Sequence, residues 1–473
     1  MGSDPSAWVV GSGPNGLAGA VELARSGLRV TVFEAAETIG GGTRTSELTV
    51  PGVLHDHCSA VHPMAGASPF FTSLDVARHG LEWCWPEIDL AHPLDDGSAG
   101  VMVRSIADTA AGLGADGAAW RRLFGRPSAS FESLLPDLMQ PMLHPPRHPL
   151  RLARFGVPAL APATLLAKLW RSEQAKALFG GVAAHALSPL STPLSSSVGA
   201  ALICAGHAFG WPVARGGSRA ITDALAAELS EHGGRIETGR CVESLSELPT
   251  GDVVLLDLSP ARAADVVGSK LDAKVARAYR RYRHGPAAFK VDFAVEGEVP
   301  WVNEPCRRAG TVHAVGSFRE TVQAEAEINH GRMPDRPFVL VGQQHLADPS
   351  RSAGDVHPLW AYAHVPSGWD GDGTEAVIGQ IERFAPGFRE RIVAKKSWSP
   401  TEFESYNANF VRGDIIGGAN TPLQIAMRPR VGFHPYATGI PGVFMCSAST
   451  PPGAGVHGMN GFNAARAALR ELG

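Results

Sequence analysis

The hydrophobic and polar positions of residues 8–34 predict a strand, a helix and a second strand. Residues 8–10 and 30–33 are short apolar runs of the kind that forms buried strands. Between them, apolar residues recur at the spacing of one helical face, namely Leu17, Ala20, Val21 and Ala24. Gly27 stands where a helix of this length would end. The segment therefore predicts a βαβ unit at the start of the chain.

The turn between the first strand and the helix contains three glycines in the pattern GxGxxG. Gly11 allows the tight turn, Gly13 lets the backbone approach a pyrophosphate, and Gly16 lets the helix pack closely on the strand. The N-terminus of the helix offers free N–H groups to phosphate oxygens. Glu34 ends the second strand, where an acidic residue receives the hydroxyls of a ribose. Because these features stand in one register, they predict a dinucleotide site.

The polarity pattern changes further along the chain. Residues 69–205 are rich in helical stretches and proline clusters, and α/β alternation returns at 206–265. Residues 289–295 alternate between apolar and polar, which predicts a strand buried on one face only. Residues 443–461 predict a strand, a glycine-rich loop and the start of a C-terminal helix. Both ends of the chain thus predict a helix N-terminus that faces an anion.

Charge and cysteine content exclude several function classes. The formal net charge of the 473-residue chain is −4 at pH 7, which gives no reason to expect nucleic acid as a partner. The six cysteines are far apart in sequence and form no CxxC, so the usual zinc and dithiol spacings are excluded. We predict no metal site, and cysteines that are mostly buried, reduced thiols of a cytoplasmic protein.

A basic, partly apolar stretch bears on membrane contact. Residues 141–180 interleave arginines and lysines with Leu, Phe and Trp, a composition that fits either a lid resting on a membrane surface or a solvated helical insertion. No stretch of 18 uncharged apolar residues predicts a transmembrane helix, and the N-terminus shows no secretory signal pattern. We expect a cytoplasmic protein and leave peripheral membrane contact open.

Four motifs occur in a recognisable order, and together they resemble one family. They are the Gly11–Glu34 fingerprint, the Gly41-Gly42-Thr43-Arg44 loop, the Arg215-Gly216-Gly217 segment and the ending from Pro452 to Met459. In this order they resemble the phytoene dehydrogenase-like flavoproteins, which include carotenoid desaturases, carotenoid isomerases and retinol-saturase-type enzymes. The resemblance covers nearly the whole chain and implies that the dinucleotide is FAD.

The resemblance also implies roles for particular residues. Gly11, Gly13 and Gly16 would contact the pyrophosphate, and Glu34 would hold the adenosine ribose. The flavin edge and pyrophosphate would be lined by Gly41, Gly42 and Arg44, and the backbone of Val242 would meet the adenine. Gly455, Val456, Gly458 and Met459 would place a helix N-terminus beside the flavin. The helix dipole there would stabilise the negative charge of a reduced flavin.

The predicted fold is α/β, with a discontinuous Rossmann-like FAD-binding domain, a mixed-sheet substrate domain and a helical insertion. The FAD-binding domain would be assembled from residues 1–68, 206–265 and 426–473. The helical lid or insertion would comprise residues 69–205. The substrate domain would comprise residues 266–425, which contain the predicted strands that suit the floor of a substrate site.

Four residues are candidates for acid–base catalysis. His457 is the best placed by sequence, because it lies inside the loop expected to face the flavin. His55, Asp56 and His57 form a dense polar run that could face a ligand. The alternative for His457 is a structural hydrogen bond within its loop, and for His55 and His57 it is packing within theirs.

The leading functional hypothesis is an FAD-dependent oxidoreductase of the dehydrogenase or desaturase type. It would transfer hydride between flavin N5 and a lipophilic, isoprenoid- or polyketide-like small molecule. Since no second GxGxxG with an acid is present, the electron acceptor would be a quinone, O2 or transient NAD(P). Three alternatives remain open: a redox-neutral flavin-dependent isomerase, a flavin amine oxidase, and a non-catalytic prenyl-binding protein of the Rab-escort type.

Overall fold

The computed structural model describes residues 5–473, which form both strands and helices. The strands are β1 (Ser6–Val10), β2 (Arg29–Phe33), β3 (Thr45–Glu47), β4 (Leu54–Asp56), β5 (Trp83–Cys84), β6 (Ile88–Pro93), β7 (Ala99–Met102), β8 (Val213–Ala214), β9 (Arg235–Glu237), β10 (Val253–Leu256), β11 (Ala287–Glu296), β12 (Ala309–Ala314), β13 (Val339–Gly342), β14 (Val356–Val365), β15 (Ile392–Trp398) and β16 (Val443–Met445).

The helices are α1 (Pro14–Arg25), α2 (Ile106–Gly112), α3 (Gly117–Ala129), α4 (Phe131–Leu138), α5 (Pro149–Ala159), α6 (Ala163–Leu166), α7 (Glu173–Ala183), α8 (Ser195–Phe209), α9 (Arg219–Glu231), α10 (Pro260–Val267), α11 (Ala273–Arg280), α12 (Glu304–Arg308), α13 (Phe318–Asn329), α14 (Thr374–Phe384), α15 (Pro400–Tyr406), α16 (Pro422–Ala426) and α17 (Met459–Leu472).

The first sheet is parallel and has five strands in the order β16-β10-β1-β2-β9. These strands come from three distant parts of the chain, and β1, α1 and β2 form the predicted βαβ unit at its centre. The helix ends at Arg25, and Gly27 follows with a φ of 92°. The predicted α/β class and the discontinuous Rossmann-like domain are confirmed.

Helices α1 and α17 pack against each other on this sheet through glycines. A Cβ on Gly461 would lie 1.7 Å from the carbonyl oxygen of Asn15, and a Cβ on Gly19 would lie 2.6 Å from Leu255 Cδ1. Neither position has room for a side chain, so the two helices approach more closely than larger residues would allow. This approach brings the N-termini of both helices to the same edge of the sheet.

The second sheet is mixed and has seven strands in the order β15-β11-β14-β13-β12-β6-β7. Strands β6 and β12 pair in parallel, and the other neighbours pair antiparallel. Strands β6 and β7 lie within residues 69–205, the segment predicted as a helical insertion. The helical pattern of that segment therefore does not extend to residues 88–102, where a buried strand completes a sheet formed mainly by residues far along the chain.

The prediction that residues 289–295 form a half-buried strand is wrong, because β11 is buried on both faces. One face, with Phe289, Val291 and Phe293, packs in the core beneath α14. The other face carries Lys290 and Asp292, which are 1% and 0% exposed. Alternation identifies which residues share a face, but it cannot tell whether the polar face meets water or another layer of protein.

The helices from α2 to α8 form most of the predicted insertion. Trp120 and Trp170 pack against each other in its interior and belong to one buried apolar cluster with residues of the first sheet. Within residues 5–473, no single helix is long and apolar enough to cross a bilayer. Helix α5 and the segment Ala163–Leu169 reach that length only when counted together, and a bend of 93° separates them.

A buried arginine between β13 and β14 links that segment to β4 and β8. Arg351 donates to Asp56 Oδ2 at 2.5 Å, to Asp348 Oδ2 at 3.2 Å and to the carbonyl oxygen of Ala214 at 2.7 Å. The side chains of Arg351, Asp56 and Asp348 are at most 1% exposed. Burial alone would raise the pKa of Asp56, but the Arg351 guanidinium and hydrogen bonds from Ser218 and Thr45 lower it. Both carboxylates therefore depend on one cation.

We predict that Arg351→Met lowers the free energy of unfolding by about 3–5 kcal/mol, because it leaves two buried carboxylates without their counter-charge. The measurement is denaturant unfolding followed by circular dichroism. The matched control is Arg389→Met, which removes an exposed pair with Glu375 and should cost less than about 1 kcal/mol. Equal losses in the two variants would contradict this account of the buried network.

Candidate functional site

A cavity of about 610 Å³ lies at the edge of the parallel sheet where β1, β2 and β10 end. Residues from both ends of the chain line it: the turn after β1 on one side, and the segments 447–449 and 454–456 on the other. Residues of α15 and the loop behind it, Ser405 to Phe410, form a further wall. Ligands of open α/β sheets bind in the crevice outside the carboxyl ends of the strands, which is where this cavity lies.

The glycine turn after β1 leaves no space for side chains. Gly11 has a φ of 104°, a conformation that other residues rarely adopt. A Cβ on Gly16 would lie 2.1 Å from the carbonyl oxygen of Gly11, so the start of α1 can rest directly on the turn. Gly13 lines the cavity, where its bare backbone is accessible to a ligand. This is the cradle that a pyrophosphate requires.

Glu34 and Arg44 form the next part of the cavity wall. Glu34 Oε2 accepts from the backbone N–H of Ser12 at 2.9 Å and from its hydroxyl at 2.6 Å, while Oε1 accepts from Ala36 N at 2.9 Å. Arg44 Nη2 lies 3.4 Å from Oε1. These donors saturate the carboxylate, so a ribose hydroxyl would have to displace one of them. The Ser12 hydroxyl could be displaced by a rotation of its side chain, whereas the backbone N–H groups of Ser12 and Ala36 are fixed.

The loop that follows β2 positions Arg44 against the cavity. Arg44 Nη2 donates to the carbonyl oxygen of Thr38 at 2.7 Å, and its guanidinium lies 5.2 Å from the centre of the Tyr406 ring. Tyr406 in turn donates to the carbonyl oxygen of Gly41 at 2.8 Å. The cation is therefore fixed in place before any ligand arrives, which lowers the entropic cost of binding an anion.

The loop before α17 supplies the opposite wall. Ala454, Gly455 and Val456 line the cavity. Gly458 has a φ of 69°, and a Cβ there would lie 2.6 Å from a ring carbon of Phe70. Gly458 and Met459 lie behind the lining residues, at the start of the helix whose dipole points towards them.

The structure brings together most of the residues that the sequence predicted for the cofactor. Those that line the one cavity are Gly11, Gly13, Glu34, Gly41, Gly42, Arg44, Val242, Gly455 and Val456. Gly16, Gly458 and Met459 lie directly behind them. The bare glycine turn and the Arg44 cation offer donors to a pyrophosphate, and the Glu34 carboxylate at the end of β2 offers an acceptor to ribose hydroxyls, so the residues present fit FAD.

His457 points into its own loop. Its Nδ1 accepts from the backbone N–H of Met459 at 3.1 Å, and its carbonyl oxygen accepts from the Ser68 hydroxyl at 2.8 Å. Burial lowers the pKa of His457 to about 4, although the backbone of Ala454 and Gly453 opposes this shift. The neutral imidazole thus stabilises the first turn of α17. Its role in catalysis stays a prediction.

The other three candidates lie at the end of β4 and have different surroundings. Asp56 is bound by Arg351, as described above. His55 Nε2 lies 2.8 Å from Thr49 Oγ1, and its Nδ1 lies 3.6 Å from Asp292 Oδ1. His57 Nε2 lies 2.7 Å from Ser46 Oγ, and burial lowers its pKa to about 4. The Nδ1 atom of His57 is buried without a hydrogen-bond partner among residues 5–473.

Sequence reasoning missed a buried ion pair on the polar face of β11. Lys290 Nζ pairs with Asp292 Oδ2, and Trp398 Nε1 donates to the same oxygen at 3.1 Å. Burial lowers the pKa of Lys290, while the Asp292 carboxylate opposes that shift. The only sequence signal was a lysine and an aspartate two residues apart in an apolar strand. Burial raises the pKa of the Cys58 thiol, which lines the cavity, to about 12, and Lys290 opposes this shift.

The site and fold agree with what comparisons with known proteins show. Residues 9–74 match the family model of the NAD(P)-binding Rossmann-like domain. Over 98% of this chain and 93% of the relative, the sequence is 23% identical to pyridine nucleotide-disulfide oxidoreductase domain-containing protein 2 of Rattus norvegicus. A second relative, hydroxyneurosporene desaturase of Cereibacter sphaeroides, is 30% identical across 50% of this chain and 49% of its own length.

Solved structures share the fold at low sequence identity. An oxidoreductase from Methanosarcina mazei is similar with a TM-score of 0.64 and 16% identity, covering 98% of this chain and all of that one. Putrescine oxidase gives a TM-score of 0.62 at 16% identity, with 99% of each chain covered. A fatty acid isomerase from P. acnes gives 0.58 at 15% identity, also with 99% of each chain covered. Together with the cavity, the comparisons support an enzyme, an oxidoreductase that binds FAD.

We predict that Gly16→Ala reduces the FAD content of the purified protein. The added methyl group would collide with the carbonyl oxygen of Gly11 and push α1 off the turn. A loss of about 2.8 kcal/mol of binding energy would weaken FAD binding on the order of a hundredfold. The measurement is flavin absorbance per chain. Gly156→Ala is the control, because Gly156 lies in open space within α5. Full FAD occupancy in Gly16→Ala would contradict the proposed cradle.

Proposed function

We propose that the protein is an FAD-dependent dehydrogenase or desaturase that acts on a lipophilic, isoprenoid- or polyketide-like small molecule. When bound, FAD would supply the hydride acceptor or donor at flavin N5. The supporting observation is an apolar cluster between the cavity and the second sheet. Cys58 and Phe410 of this cluster line the cavity, and Leu340, Trp360 and Tyr362 continue it onto the sheet. Such surroundings suit a substrate with an extended apolar body.

Lys290, on the polar face of β11, is a group that could donate or accept the proton that accompanies hydride transfer. Lys290 is buried beside the cluster, with its ammonium 5.9 Å from the centre of the Trp360 ring. Asp292 holds Lys290 on one side and faces His55 on the other. His55 leads on to Thr49, which is partly exposed. We propose that Lys290 exchanges the proton with the substrate side and that Asp292 and His55 connect it to solvent.

The test of the reaction type is an anaerobic titration of the holoprotein with candidate substrates. The panel comprises a polyunsaturated isoprenoid, an unsaturated fatty acid and two primary amines, putrescine and cyclohexylamine. Bleaching of the flavin by the isoprenoid supports a dehydrogenase or desaturase. Product formation with the flavin left oxidised and no acceptor consumed would indicate an isomerase. Bleaching by an amine alone would overturn the lipophilic substrate in favour of an amine oxidase.

We predict that Lys290→Met slows flavin reduction by the bleaching substrate about a hundredfold or more, the usual loss when a general acid or base is removed. Stopped-flow absorbance under anaerobic conditions gives this rate. The rate is expressed per bound FAD, because Lys290 does not line the cavity but its removal leaves Asp292 buried without a cation and should lower the free energy of unfolding. Lys396→Met is the matched control. Lys396 lies opposite Asp292 on the neighbouring strand β15, but its side chain is exposed. An unchanged rate in Lys290→Met would remove Lys290 from the proposal.

We also propose that the surface formed by residues 142–169, here called the apolar apron, rests on a membrane. Its exposed apolar side chains are Met142, Leu143, Leu150, Val157, Leu160, Leu165 and Leu169. Leu150, Arg154 and Val157 lie on one face of α5, so apolar and cationic groups are adjacent there. An amphipathic surface of this kind binds anionic lipid surfaces, and a lipophilic substrate would be drawn from one.

The apolar apron predicts binding to vesicles of anionic phospholipid in a sedimentation assay, with weaker binding to zwitterionic vesicles. Replacing Leu150 and Val157 by glutamate should abolish the binding, because it puts charge at the apolar contact. FAD content and fold are checked in the same variant by absorbance and circular dichroism. The control replaces Val393 by glutamate, an exposed valine on β15. No binding of the wild-type protein to anionic vesicles would overturn the membrane proposal.

A further inference from the structure

We propose that Asp257 belongs to the pyrophosphate site and enters it as a carboxylic acid, so that FAD binding takes up one proton. Asp257 follows β10, the strand next to β1, and its side chain lies under the glycine turn. The inference rests on the proposed binding of FAD and assigns a further residue to that site.

The geometry places the carboxyl group against all three glycines of the turn. A Cβ on Gly13 would lie 2.9 Å from Asp257 Oδ2, one on Gly16 would lie 3.0 Å from the same oxygen, and one on Gly11 would lie 3.0 Å from Asp257 Cβ. Asp257 also lines the cavity. The Asp257 carboxyl group therefore lies directly against the turn and forms part of the wall of the same cavity.

One oxygen of the Asp257 carboxyl group accepts a backbone N–H of the turn that would otherwise be available to a phosphate oxygen. Asp257 Oδ2 accepts from the backbone N–H of Gly16 at 2.9 Å, and Gly16 is in the first turn of α1. The hydrogen bonds of residues 5–473 include none to Oδ1. An ionised Asp257 would place a negative charge beside the negative pyrophosphate, which repels it. A protonated Asp257 keeps the bond from Gly16 and can donate from Oδ1 to a phosphate oxygen.

The surroundings of Asp257 hold it near the balance between the two states. Burial raises its pKa to about 7, the Gly16 N–H opposes this shift, and the Glu34 carboxylate adds to it. Arg44 and Arg262 line the same cavity, but Arg44 is paired with Glu34, and no ion pair joins Asp257 to a cation among the described residues. The Cys446 thiol, directly after β16, also faces Asp257, and burial together with the Asp257 carboxylate raises the pKa of Cys446 well above its usual range.

The sign of the pH effect follows from these states. Below about pH 7 the carboxyl is already protonated before FAD arrives, so affinity is constant there. Above about pH 7 each binding event must first add a proton, and affinity falls by up to about tenfold per pH unit. Other buried groups near the cavity titrate outside this range: His57 has a pKa of about 4, and those of Cys58 and Tyr406 are about 12.

The experiment measures the dissociation constant of FAD by flavin fluorescence from roughly pH 6 to pH 9, the range in which an acid with a pKa near neutrality titrates. Proton uptake is measured in parallel with a pH indicator in weak buffer. The wild-type protein should lose affinity above neutrality and take up about one proton per FAD at the alkaline end. Asp257→Asn, whose amide accepts from Gly16 and donates to phosphate without titrating, should bind FAD with no pH dependence and take up no proton.

Two controls isolate the effect of Asp257. Asp252→Asn changes an exposed aspartate just before the same strand and should behave as the wild type. Cys241→Ser removes the exposed thiol that lines the cavity, and it should keep the wild-type slope. The inference is overturned if the wild type binds FAD equally well across the range, or if Asp257→Asn keeps the wild-type slope. Absence of FAD binding at every pH would instead overturn the proposed function itself.

Discussion

The site depends on how closely α1 and α17 approach each other. The contact between Gly461 and the backbone of Asn15 leaves no room for a single methyl group. Because of it, a helix from the first residues and a helix from the last residues begin at one cavity. The glycine turn and Glu34 then face the loop from Ala454 to Val456 across that cavity. An extended dinucleotide can be held at both ends only if the separation between the glycine turn and the loop before α17 is fixed.

A second constraint is the treatment of charge in the interior. A carboxylate can stay ionised in the interior when it forms an ion pair. Arg351 pairs with Asp56 and Asp348, and Lys290 pairs with Asp292. Asp257 differs because it lies beside an anion-binding turn with no cation paired to it in the described part of the chain. A buried acid without a cation is stable as the neutral acid. The same rule thus explains both the fixed network around Arg351 and the proton linkage at Asp257.

The sequence predicted the features that depend on a short segment of chain, and it missed those that depend on contacts between segments far apart in sequence. The strand-turn-helix pattern with Glu34 identified the ADP end, because each of its features depends on backbone conformation within a short segment. Lys290 and Asp257 were not assigned, because their burial is imposed by elements far away in sequence. The sequence also did not predict β6, which lies within the segment predicted to be helical. A strand that joins a distant sheet shows only a short apolar run in the sequence. The predicted domain boundaries and the catalytic histidines stay predictions.

The central claim is that this chain holds FAD across the cavity between its two ends. Native mass spectrometry of the purified protein, together with its visible spectrum, tests the claim most directly. The account predicts a yellow protein whose mass exceeds that of the chain by one FAD, which is released intact on denaturation. A colourless protein that has the mass of the bare chain and takes up no FAD on incubation at neutral or mildly acidic pH would contradict it.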